Sequence, residues 1–161
     1  MTNCKDKLLM NSLSNYYITN NNIESILPVL QGKTTLSLRI LDWFVTNYCK
    51  NNSIVFKRNN KYYNVHLDYK SQLKAYSKKL FDPFCRRNRI LFYYSKNNAV
   101  TTTVGQLNFF KWALENNILD YVIKHLKVIE KDMNNNLQNY ISVTGTKKLT
   151  KQNIEVTIKF N

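Results

Sequence analysis

Acidic side chains are scarce in this sequence. Ten Asp and Glu stand against 24 Lys and Arg in 161 residues, which leaves a formal net charge of +14 and a pI near 9.7. The few carboxylates form no pair in the setting that a glycosidase or a metal nuclease needs. Glycine and proline are also rare, at three and two residues, so long flexible linkers have little room. The three cysteines, Cys4, Cys49 and Cys85, are odd in number and show no Cys-x-x-Cys spacing. That argues against a secreted disulfide framework and against a zinc site, and a reducing compartment is the simpler inference. Long apolar runs are lacking too. Lys5 and Lys7 precede only a short run at Leu8–Met10, too brief for a signal peptide, and no later run approaches the ~18 residues of a membrane span. The expectation is a soluble, intracellular protein, or one packaged in a particle assembled there, with no membrane partner.

What the chain does contain is material for a core. Hydrophobic residues make up 43% and aromatic residues 13%, with 11 Tyr and 8 Phe, enough at this length for one domain without disulfides or metal. The many Asn, Lys, Ile and Tyr fit an AT-rich coding genome, which bears on source and not on mechanism. Residues 1–22 end in Asn20-Asn21-Asn22 with weak periodicity and are expected to form a mobile or loosely docked N-terminal arm. Residues 23–161 then form the single domain. Ile23–Leu30 suits one or two helical turns, with Pro28 tolerable only in the first and Gly32 as the stop. Thr34–Tyr48 reads as the central core helix, capped by Thr34 or Thr35, with Trp43 in the core.

Ile54–Leu67 suits two strands around an Asn59-Asn60 turn. In the second strand Tyr62, Asn64 and His66 share one face. His66 has no acidic or nucleophilic partner in sequence and reads as a polar strand residue, and His125, in a Lys-rich helix, is weighed the same way. Ile90–Tyr94 and Ala99–Thr103 read as a second hairpin. Thr103 and Gln106 have capping-box spacing for a helix through Leu107, Phe110 and Leu114. Asn116-Asn117 interrupts it before an amphipathic helix from Ile118 to Ile129, and Asn134–Asn136 closes the helical region. Strict alternation over Ile154–Phe160 predicts a C-terminal strand. The fold class is therefore α+β: a single domain with two β-hairpins alternating with helices and a C-terminal strand, with a hint of a repeated β-β-α unit.

The positive charge gathers in the middle. From Lys50 to Lys96 stand 12 of the 24 basic residues, with Asp68 and Asp82 as the only acids. Asp68 is placed to cap a helix carrying Tyr69, Leu73, Tyr76 and Leu80 as an apolar stripe. Lys70, Lys74 and Lys78 recur every four residues on another flank, with Lys79 beside them, about 6 Å apart per turn. Asp82-Pro83 ends the helix, and Arg86, Arg87 and Arg89 follow. Guanidinium groups suit bidentate phosphate contacts. Tyr62, Tyr76, Tyr93 and Tyr94 nearby suit stacking on unpaired bases, although the core claims some of them. No catalytic, metal-ligating or cofactor-binding set is read, so the chain is not expected to be an enzyme and no cofactor is expected.

The segments LSLRILDWFVTNYCKNN, YKSQLKAYSKKLFDPFCRRNRI and TTTVGQLNFFKWALENNILDYV resemble a family of small, basic, uncharacterised proteins of the nucleocytoplasmic large DNA viruses. That group includes mimivirus-like and phycodnavirus-like members, and the resemblance covers roughly residues 34–122. It implies a viral origin and an intracellular life cycle, in the host cytoplasm at a viral factory or in the virion, and it supplies no catalytic residues. Charge and resemblance together point to a non-catalytic nucleic-acid-binding protein acting in genome packaging, replication or transcription, with DNA ahead of RNA as partner. Lys70, Lys74, Lys78, Lys79, Arg86, Arg87 and Arg89 would contact phosphates. The alternative is a structural or interaction protein of the virion or viral factory that binds an acidic viral protein.

Overall fold

The structure, a computed structural model, describes residues 4–85 and 88–138. It divides into two compact units, Met1–Lys124 and His125–Asn161. The described strands all lie in the first unit, as two separate two-stranded antiparallel sheets set among helices. The class is α+β, and helices alternate with the two hairpins in the expected order. In the second unit residues 126–138 are helical, with Ile129 and Met133 buried one turn apart on one face. That helix continues through Asn134–Asn136 instead of closing there, and the Asn136 amide donates back to the Asp132 carbonyl at 2.8 Å. The strand expected at 154–160 lies outside the described residues.

The N-terminal segment is helical where an arm was expected. Helix α1, Cys4–Ser14, leads into a π-helical turn, Asn15–Thr19. Leu13 and Tyr17 are fully buried, and the Tyr17 hydroxyl donates to the Leu107 carbonyl, 90 residues away. The apolar stripe that docks this segment is short, which is why its local periodicity is weak. Helix α2, Ile23–Leu30, holds Pro28 at its sixth position and not in its first turn. It closes as anticipated at Gly32, whose φ is +69°. Lys33 N–H donates to the Pro28 carbonyl and Gly32 N–H to the Val29 carbonyl, the reciprocal pair of a Schellman ending.

Helix α3, Leu38–Trp43, starts later than Thr34 or Thr35 because Ser37 is the cap, its hydroxyl accepting from Ile40 N–H at 3.2 Å. Thr34 uses its hydroxyl for a local turn onto Leu36 N–H. The helical run continues through a π-helical turn, Phe44–Tyr48, into α4, Cys49–Asn51. Ile40, Leu41, Phe44, Val45 and Cys49 are buried along it, whereas Trp43 is only half-buried. Burial pushes the Cys49 thiol well above its ordinary range, which makes it an inert core group.

Strands β1, Val55–Arg58, and β2, Lys61–Asn64, pair around Asn59 and Asn60, both at positive φ. This is the primed two-residue turn that suits the twist of a hairpin. The second strand stops at Asn64, three residues short of Leu67, because Asn64 caps helix α5, Val65–Tyr76, by accepting from Leu67 N–H at 3.0 Å. His66 therefore lies in the first turn of α5, with Nδ1 2.9 Å from the Val45 carbonyl. Asp68 is not the cap. It accepts from Trp112 Nε1 at 2.8 Å and pairs with Arg58 at 3.3 Å, tying the first hairpin to two helices.

Ser77, at φ +70°, ends α5, and a short helix α6, Lys78–Phe81, follows before Asp82-Pro83. Strands β3, Ile90–Tyr93, and β4, Ala99–Thr102, form the second hairpin, with Leu91 opposite Thr101 and Tyr93 opposite Ala99. Thr103 caps helix α7, Val104–Glu115, accepting from Gln106 N–H at 3.0 Å. The Gln106 side chain departs from a capping box, since its amide reaches the Pro83 carbonyl and its oxygen accepts from Thr102. Asn116 and Asn117, the latter at φ +58°, break the run before helix α8, Ile118–Lys124. Both hairpins thus feed directly into a capped helix, the repeated β-β-α order.

The core is built on four rings, Tyr69, Phe81, Phe109 and Trp112. Each lies 5.8 to 6.1 Å from the other three, centroid to centroid. Such pairs contribute about 0.5–1.5 kcal/mol each beyond area burial. Helix α7 reaches α6 through Gly105, where a Cβ would stand 3.0 Å from the Asp82 carbonyl oxygen and 3.1 Å from that of Lys79. Gly105→Ala is therefore expected to lower stability by ~1–3 kcal/mol through overpacking in urea denaturation, although an open helical glycine gains about 1 kcal/mol from the same change. A stabilised variant would refute the close approach. Asp68→Ala strands the Trp112 N–H and should cost on the order of 2 kcal/mol. Adding Trp112→Phe to that variant should cost less than Trp112→Phe does in the parent, as read by a double-mutant cycle.

Candidate functional site

The seven cations singled out in the sequence divide into groups. Lys70 and Lys74 are exposed one turn apart on α5. Lys78 and Lys79 are exposed on α6, and Arg89 is exposed just before β3. The continuous four-residue row from Lys70 to Lys78 does not form, because the left-handed Ser77 separates the two helices. None of these five side chains makes an ion pair or hydrogen bond among the described residues. Arg86 and Arg87 lie outside the described residues. The stripe that anchors the region also differs from the expected one. Tyr69 is buried, Leu73 and Leu80 are half-buried, and Phe81 is the fully buried residue of α6.

Other cations in the basic stretch are already used. Arg58 donates to Asn116 Oδ1 at 2.9 Å, pairs with Asp68, and lies over the Tyr63 ring at 4.2 Å. Tyr63 donates to the same Asn116 oxygen. Lys57 sits 5.8 Å from the ring of its cross-strand neighbour Tyr62, which is 75% exposed. Among the other tyrosines considered for stacking, Tyr93 is exposed, Tyr94 is half-buried, and Tyr76 is parallel to Phe81 at 6.1 Å.

Two hollows adjoin the cations. Lys79 lines a groove of about 850 Å³ between α1, α6, β3 and the start of α7. Its apolar walls come from Met10, Leu80, Ile90, Leu91 and Val104, and a second ammonium comes from Lys7. Lys7 was noted in the sequence only as a charge before a short apolar run. The signal that would have singled it out is the helical spacing Lys7, Met10, Asn11, which places all three on one face of α1 and into the groove lining. Arg89 lines a smaller polar recess of about 170 Å³ with Thr101, Thr102, Thr103 and Gln106, whose Thr102, Thr103 and Gln106 groups are bonded to one another.

No group of three or more His, Cys, Asp or Glu that could hold a metal ion occurs among the described residues. No described helix is long and apolar enough to cross a membrane. Among the described residues the Asp42 carboxyl has a displaced titration. It rises from the ordinary 3.8 to about 6, first through burial and then through the negative charge of Asp82. The same two carboxylates, after burial, push the Tyr69 hydroxyl up. Between pH 3.8 and 6 the folded chain keeps a proton that the unfolded chain releases, so this group's stabilisation is full below about pH 4 and is lost as pH rises through 6. Asp42→Asn should flatten that decline. At pH 7 it should gain on the order of 1 kcal/mol, a figure reduced because the carboxyl is partly open to water. Denaturation series at pH 4 and pH 7 check both.

The chain matches the model of a family of unknown function, DUF7197, over residues 1–158. It is also 44% identical over 118 residues to the uncharacterized protein L507 of Acanthamoeba polyphaga mimivirus, an alignment covering 68% of this chain and 46% of that protein. The chain thus spans about half the length of the curated relative it matches. No solved structure matches it. The resemblance seen in residues 34–122 therefore extends over nearly the whole sequence, and the chain belongs to this family of unknown function, with a giant virus as the source of a relative.

Proposed function

We propose that the protein is a non-catalytic nucleic-acid-binding protein that neutralises phosphates through the cations of α5, α6 and the segment before β3. The observation that carries the reading is the set of five exposed cations, Lys70, Lys74, Lys78, Lys79 and Arg89, without an ion-pair partner among the described residues. Exposed like charges repel, and a polyanion facing them removes that cost while releasing its own counterions. Arg86 and Arg87 add two further cations in the same stretch of sequence. Arg58 marks the contrast, since its charge is spent on Asp68 and Asn116. The kinship with a mimivirus protein supports a viral setting, and within it we extend the reading to a role in genome packaging, replication or transcription, on DNA before RNA, in the infected host cytoplasm or in the virion.

If the five cations each meet a phosphate of duplex DNA, log affinity falls against log salt with a slope of roughly −4 to −5. Lys70→Ala with Lys74→Ala should reduce that slope by about 2 and leave folding intact, because both side chains stand in solvent. Replacing Arg86, Arg87 and Arg89 together should weaken binding to unrelated sequences alike, since phosphate contacts carry no base readout. Filter binding from low to moderate salt gives the slopes, and affinity that ignores salt overturns the reading. An oligomer that binds an acidic protein and no nucleic acid would support the scaffold alternative instead.

A further inference from the structure

We propose that the groove between α1, α6 and β3 accepts unpaired bases, so that single-stranded nucleic acid is the preferred partner, a step that rests on the nucleic-acid reading above. The groove, at about 850 Å³, has the size of a ligand-holding cavity. Its walls combine two chemistries that a nucleotide also combines. Met10, Leu80, Ile90, Leu91 and Val104 offer apolar surface, and Lys7 and Lys79 supply ammonium groups from helices far apart in sequence. Neither lysine has an ion-pair partner among the described residues. Asp6, the carboxylate in the lining, has a partner of its own.

The strand beside the groove adds a platform. Leu91 and Tyr93 alternate onto the same face of β3 and are 55% and 57% exposed. Leu91 lines the groove and Tyr93 stands two residues further along the same face of the strand, an apolar side chain and an exposed ring that match a flat base flanked by phosphates better than they match plain solvent. A duplex keeps its bases stacked and paired and would have to unstack one to reach Leu91, at a cost a single strand does not meet.

The test measures anisotropy of labelled oligothymidylate, a duplex of equal length, and an abasic strand of equal length, with the full chain at one salt concentration. Oligothymidylate is expected to bind at least tenfold tighter than either of the others. Tyr93→Ala and Leu91→Ala, both at exposed positions, should weaken oligothymidylate at least fivefold and leave the duplex within twofold. Lys7→Ala should weaken oligothymidylate and lower its salt slope by about 0.7. Equal binding of the abasic strand, or groove variants that leave oligothymidylate affinity unchanged while salt-dependent binding persists, overturns the groove assignment and leaves the phosphate-binding reading standing. Absence of salt-dependent binding to all three probes overturns both.

Discussion

The contact between α6 and α7 governs the rest of the first unit. Gly105 lets the two backbones meet at a separation that a Cβ would crowd, with carbonyl oxygens at 3.0 and 3.1 Å, and that closeness brings Phe81 among Phe109, Trp112 and Tyr69. Three helices are thereby joined through four mutually touching rings. The Asp68 carboxylate, receiving the Trp112 N–H and the Arg58 guanidinium, brings the first hairpin onto the same cluster. Asn108 and Gln106 add direct bonds from α7 to the backbone of α6 and of the Asp82-Pro83 turn.

The same contact decides which cations reach solvent. Ser77 takes a left-handed conformation between α5 and α6, which turns Phe81 into the ring cluster and leaves Lys78 and Lys79 outside. Lys79 shows the consequence most directly, because its carbonyl meets Gly105 while its side chain lines the groove shared with α1. Arg58, equally basic in sequence, is withdrawn into an ion pair and a ring contact. A basic composition therefore resolves into cations that hold the fold and cations left for a partner.

Legibility in the sequence followed the range of the interaction responsible. The Asn59-Asn60 hairpin, the Thr103 cap and the Asn116-Asn117 break were readable because each depends on residues within a turn of one another. Asn64 as the cap of α5 was missed because the alternation of Tyr63, Val65 and Leu67 fits a strand equally well, and only the bond from Leu67 N–H to Asn64 decides between them. The break at Ser77 had no glycine to announce it. The N-terminal helix looked like a mobile arm because its anchor, Tyr17 on the Leu107 carbonyl, is long-range. At the candidate site, Lys70, Lys74, Lys78, Lys79 and Arg89 were legible as charges, whereas Lys7 became part of the groove only through the packing of α1.

By itself the sequence determined the α+β class, the two hairpins and the concentration of positive charge between Lys50 and Lys96, since composition, short-range periodicity and turn chemistry are local properties. Tertiary structure alone decided that Asp68 is a junction and not a cap. It also decided that Phe81 and Trp112 are core rings, and that Lys79 and Lys7 line the same groove. Each of those outcomes depends on which distant backbone can come close, and the small size of Gly105 and the left-handed turn at Ser77 settle that in three dimensions.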